Sequence, residues 1–123
     1  MENEELAFVN RYIAKKFRRS AAERLKNVFR AVLISKSREE MMKEEIIREL
    51  KPFYSNFVRM KVENEAAAEA AIALFDDRIR MLPKIIALEI FEDIQFYKSL
   101  KNGVAKNYFI QSLVGQIHSL FYQ

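Results

Sequence analysis

Two glycines and two prolines are the whole supply of special turn-forming backbone in 123 residues. An all-β fold uses such residues about every 8–12 positions. A phosphate-binding loop needs glycines at fixed spacings that this chain does not have. Both are excluded at the outset. What remains is a chain that runs in long uninterrupted elements, and the period of its apolar residues says which kind.

From residue 3 to about 35, the residues Leu6, Val9, Ile13, Phe17, Ala21, Leu25, Val28 and Val32 recur at steps of three and four. That is one helical stripe without loss of phase. Ser20-Ala-Ala-Glu23 has the pattern of a capping box, which would divide the segment. Because the stripe passes through Ser20 in phase, the spacing predicts one long helix, on the order of 50 Å, bent at Ser20 if anywhere. Ser37-Arg-Glu-Glu40 is a second box and starts a helix over about 38–50, with Met41, Met42, Ile46, Ile47 and Leu50 inward, which Pro52 stops or kinks.

Phe53, Phe57 and Met60 continue in helical spacing, and an alanine-rich run over 66–73 leads to Leu74, Phe75 and Ile79. Asn64 is available as a cap, so 53–81 is one helix or two. After Pro83, apolar residues from Ile85 to Leu100 cover more than one stripe, the pattern of a central, most buried helix. Asn102-Gly103 reads as its stop, with Gly103 in the left-handed conformation. A last helix spans 104–122, and Gly115 within it marks a close approach by another helix. The expected fold is all-α, a single-domain bundle of five or six helices over 1–123, led by a long basic amphipathic N-terminal helix.

The net charge of +4 conceals a strong asymmetry. Residues 11–38 hold ten basic side chains and one acid, Glu23, whereas 39–95 hold eight basic and thirteen acidic ones. Within the basic block, Arg11, Lys15, Lys16, Arg18, Arg19, Lys26 and Arg30 fall largely at helical spacings and form a line beside the apolar stripe. Such a ridge suits a phosphate backbone, with about one negative charge per 1.7 Å of duplex axis, or an acidic protein surface. A solvated face that pairs with the protein's own acidic helices is the competing explanation.

Catalytic chemistry finds little footing. There is no cysteine and a single histidine, His118, with no acid at helical spacing nearby. Asp76-Asp77-Arg78 lacks the third acid of a metal motif, and Glu89, Glu92 and Asp93 lack the Glu-x-x-His pairs of a di-metal bundle. The expectation is a protein that is not an enzyme and takes no cofactor, metal or small-molecule substrate. The acidic start, Met1-Glu2-Asn3-Glu4-Glu5, is unlike a signal peptide, and no run of about 18 apolar residues exists. These features favour a cytoplasmic location, and the Lys, Arg, Glu and Ile content leans towards a thermophilic source. An interfacial membrane helix is the rival for 6–33, but the narrow, regular stripe favours packing on protein.

Leu50-Lys-Pro-Phe53-Tyr54, then Arg78-Ile-Arg80 with Lys84-Ile85-Ile86-Ala87-Leu88, then Glu92-Asp-Ile-Gln-Phe96-Tyr97 follow one another in order. Over about 46–100 this resembles the helical domain of the GINS replication factors, which bind the replicative helicase. It departs from them in having no β domain and in the basic segment that precedes the usual start. In size, charge and helical character, with Leu50-Lys51-Pro52 and Phe91-Glu92-Asp93, the chain is also similar to the small helical subunit of type III CRISPR effector complexes. Both resemblances imply a non-enzymatic subunit of a nucleic-acid-processing complex, with protein subunits or a second copy as partners. The basic helix would contact the phosphate backbone. A helical protein-interaction or viral regulatory protein with no nucleic-acid role is the alternative.

Overall fold

The computed structural model describes residues 2–122, with side chains from Glu4 onward. Among them the order is α1 (Glu2–Phe17), α2 (Ala21–Val32), α3 (Lys36–Lys61), α4 (Glu65–Arg80), α5 (Lys84–Ser99) and α6 (Gly103–Phe121), with no strand.

The single long helix expected over 3–35 is two helices. Ser20 takes an extended conformation (φ −70°, ψ 164°) and its hydroxyl accepts from the Glu23 N–H at 3.2 Å. The cap therefore prevails over the unbroken stripe. Its physical benefit is that α1 and α2 are free to pack in different directions. Val9 on α1 is fully buried and Ile13 packs against the main core. On α2 only Ala31 is buried, and Leu25, Val28 and Val32 of the same stripe face solvent.

The third helix begins two residues earlier than its capping box implies. Ser35, not Ser37, is the cap, and its hydroxyl accepts from the Arg38 N–H at 3.1 Å. The helix then runs straight through Pro52 to Lys61. Proline removes one ladder hydrogen bond, but Pro52 lies on the exposed side while Ile46, Leu50, Tyr54 and Val58 are buried on either side of it. Packing on both flanks holds the helix together across the defect.

Asn64 caps α4 as its side chain suggests, with Oδ1 accepting from the Ala67 N–H at 3.0 Å, so 53–81 is divided between α3 and α4. Pro83 is the residue that leads into α5. Asn102-Gly103 serves the following helix, not the preceding one. Asn102 is the N-cap of α6, its Oδ1 accepting from the Ala105 N–H at 2.9 Å, and no described residue has positive φ. The Lys101 and Asn102 amides also donate to Glu5 Oε1 of α1 at 2.9 and 2.6 Å. An acidic side chain thus receives amides at the start of α6, where no helical carbonyl is placed to accept them.

The hub of the bundle is α3, which packs against α4, α5 and α6. Its length gives it that place over α5, the helix expected to be central. Tyr54, Phe75, Ile79, Ile94, Ile110 and Val114 interlock in the main core, with Tyr54 and Phe75 stacked at 4.5 Å. Each such side chain contributes roughly 1.5–3 kcal/mol through burial. His118 sits at the edge of this core, its Nδ1 within 2.9 Å of the Tyr54 hydroxyl. Burial pushes the imidazole below its ordinary pKa and raises the Tyr54 phenol to about 12. A smaller cluster, Ala31, Met42 and Leu88, seats α2 on the bundle.

Gly115 faces Phe57, but a methyl at that position would meet the ring at 3.6 Å, an ordinary contact. Gly115→Ala is therefore expected to stabilise α6 by about 0.5–1 kcal/mol, raising Tm by a few degrees in a thermal melt followed by circular dichroism. A lowered Tm would mean that the two helices need the bare backbone.

Candidate nucleic-acid interface

The seven basic residues singled out from the sequence all reach one side of the molecule, around the α1–α2 junction. Lys15, Lys16, Arg19, Lys26 and Arg30 line a cleft of about 380 Å³ between α1, α2 and α5, with Tyr12 at its base and Glu23 and Glu92 among its walls. Arg11, Lys15 and Arg18 line an adjoining hollow of about 300 Å³ that shares Lys15 and Glu23. The break at Ser20 makes this possible. A straight helix would string the charges along one line, whereas two helices fold them around a concave surface.

The seven are not equivalent. Three are tied to the acids of α5. Lys16 Nζ lies 2.5 Å from Asp93 Oδ2, Arg19 lies 3.4 Å from Glu89, and Arg30 lies 3.0 Å from Glu92. Asp93 is 1% exposed and also accepts from the Tyr12 hydroxyl at 2.8 Å. Burial and the adjacent Asp93 carboxylate push the Tyr12 pKa far up, so that its hydroxyl stays a donor. The explanation by internal pairing thus holds for part of the ridge. The other four, Arg11, Lys15, Arg18 and Lys26, are exposed and have no ion-pair partner among the described residues. Arg11 instead lies over the Phe8 ring, 5.9 Å from its centroid.

Taking the seven bases that line the two hollows, less Glu23 and the three α5 carboxylates, this face keeps three uncompensated positive charges. Such a field attracts polyanions over distances of about a Debye length, near 8–10 Å at physiological salt. The cleft offers cations and amide groups such as Asn27, which suits phosphate oxygens.

Asn27 stands beside the ridge in the sequence and lines the cleft, whereas Tyr12 as a lining residue and Asp93 as an anchor were missed. Tyr12 lies on the α1 side that also packs against Phe96, at 3.8 Å between ring centroids, and reads as core. The residues that carry the GINS resemblance are elsewhere. Of these, Leu50, Tyr54, Ile79, Ala87, Leu88 and Ile94 are buried and serve packing.

Among the described residues, no group of three or more His, Cys, Asp or Glu is arranged to hold a metal ion, and no helix is long and apolar enough to cross a membrane. No protein-family model, curated protein or solved structure matches the chain.

Proposed function

We propose that this chain is a non-enzymatic helical subunit of a nucleic-acid-processing complex, of the kind the GINS resemblance implies. Its α1–α2 face holds a phosphate backbone without reading bases. One observation carries this: four unpaired cations, Arg11, Lys15, Arg18 and Lys26, gather with three paired ones around one concave surface. The paired residues shape the surface and the unpaired ones supply its field. Phosphate contacts of this type position a polymer and carry no sequence preference.

The division of roles decides which variant is informative. Reversing Lys16, Arg19 or Arg30 would put an acid against an acid on α5 and loosen the helices themselves. Lys15→Glu, Arg18→Glu and Lys26→Glu change exposed, unpaired positions and leave the packing intact. Fluorescence anisotropy with labelled single- and double-stranded DNA and RNA is expected to show binding that weakens steeply with salt. Four phosphate contacts give a log–log slope of roughly −3 to −4 on duplex DNA. The triple reversal is expected to weaken binding by at least about 100-fold at low salt, with an unchanged melting curve. Binding that ignores either salt or the triple reversal would overturn the assignment.

A further inference from the structure

We infer that the outer face of α2 docks on an anionic phospholipid surface. This goes beyond the polyanion cleft and involves a different face of the helix. α2 rests on the bundle through Ala31 and reaches α5 through Arg30, which fixes which side looks outward. At 100° per residue, Val28, Val32, Leu25, Phe29 and Leu33 follow one another over an arc of roughly 140° on the opposite side. They are 44, 69, 55, 62 and 85% exposed. Together they present on the order of 500 Å² of apolar surface, in the range of the largest patches that monomers carry, which are often functional.

The surroundings of the arc select the partner. Arg24 borders it on one margin and Lys26 on the other, both exposed. Arg18 precedes the helix, and Lys36 and Arg38 follow it, again exposed. The one acid of the segment, Glu23, lies away from the arc and lines the cleft. An apolar arc with cations on both margins and no acid is the form of a helix lying in a lipid headgroup layer. The apolar side chains enter about 5–10 Å, and the long basic chains reach back to the phosphates.

A second copy of the chain fits poorly. Two such faces would bury about 500 Å² each, against the roughly 800 Å² per partner of a stable interface. They would also bring two strongly positive segments together. A protein groove fits less well than a bilayer because the arc offers no polar side chain to fix a register. The main helix contact of α2 is with α5, which leaves its opposite side open to a planar surface.

The chain has no tryptophan, so a single introduced one reports on its own site. Phe29→Trp places the reporter on the arc. Met60→Trp, at an 81% exposed position near the far end of α3, is the control. Each is titrated with vesicles of phosphatidylcholine alone and of equal parts phosphatidylcholine and phosphatidylglycerol. A blue shift for Phe29→Trp with the anionic vesicles only, and none for Met60→Trp, is the expected result. Adding Leu25→Ser and Val32→Ser is expected to weaken partitioning roughly tenfold or more. Far-UV circular dichroism and nucleic-acid affinity stay unchanged in that variant, since both positions are exposed and lie off the cleft. The inference is overturned by no shift, by an equal shift at Met60→Trp, or by full partitioning of the serine variant. A blue shift that needs no vesicles and grows with protein concentration would assign the face to a second copy and overturn it as well.

Discussion

Replacing Lys16 by Met lowers the unfolding free energy by about 3–5 kcal/mol, the expected loss when one partner of a buried ion pair is removed. Asp93, 1% exposed, would be left with the Tyr12 hydroxyl as its remaining donor. The decisive measurement is a mutant cycle by urea unfolding. Asp93→Leu alone leaves the Lys16 ammonium, 19% exposed, against an apolar wall and is also destabilising. Lys16→Met with Asp93→Leu recovers most of the loss, because no charge is then left buried. The Tyr12 hydroxyl remains without its acceptor, a residual cost of about 1–3 kcal/mol. Adding Tyr12→Phe removes that too, while the ring keeps its stack on Phe96. The triple variant is expected within about 1 kcal/mol of the parent. If Lys16→Met alone costs less than about 1 kcal/mol, the pair does not hold α1 to α5.

Lys43→Met is expected to cost about 2–4 kcal/mol, through a different mechanism. The Lys43 ammonium donates to the Arg80 and Leu82 carbonyls at 2.8 and 2.7 Å and pairs with Glu39 at 3.0 Å, with 9% of the side chain exposed. It closes the C-terminal end of α4, where carbonyls lack helical donors and a positive charge is favoured. Methionine keeps most of the packing volume and removes the donors. The contrast is Glu39→Gln, which breaks the ion pair alone and is expected to cost under about 1 kcal/mol. Equal losses for the two variants in chemical denaturation would mean that the ion pair, and not the capping of α4, is what Lys43 provides.

These two ties explain where sequence reading stops. Apolar period and scarce turn residues are local, and they yield the all-α class and most helix positions. Asn64 was legible as a candidate cap, but 53–81 stayed open as one helix or two until the structure placed the cap there. Ser20 was harder, since cap and stripe give opposite answers and only tertiary packing decides between them. Asn102-Gly103 is ambiguous in another way: an asparagine at a helix junction can close one helix or open the next. The stripe itself says that a face exists and not that the face finds a partner. Val9 does and Val32 does not.

The same holds for the site. Seven cations on one side were legible as spacing. That Lys16, Arg19 and Arg30 meet Asp93, Glu89 and Glu92 was not, because the partners lie about 60 to 80 positions away and depend on how α5 is placed.

In the proposed reading, those three carboxylates would make the cleft a filter for valence. A singly charged ion that approaches Arg19 or Arg30 finds each already neutralised, and gains little by exchanging one weak, partly exposed pair for another. A chain of closely spaced charges is different, because its unpaired contacts to Lys15 and Lys26 are made at the same time as the exchange and offset it. Under that proposal, acids placed among the bases would set a threshold on the number of charges that a guest must carry.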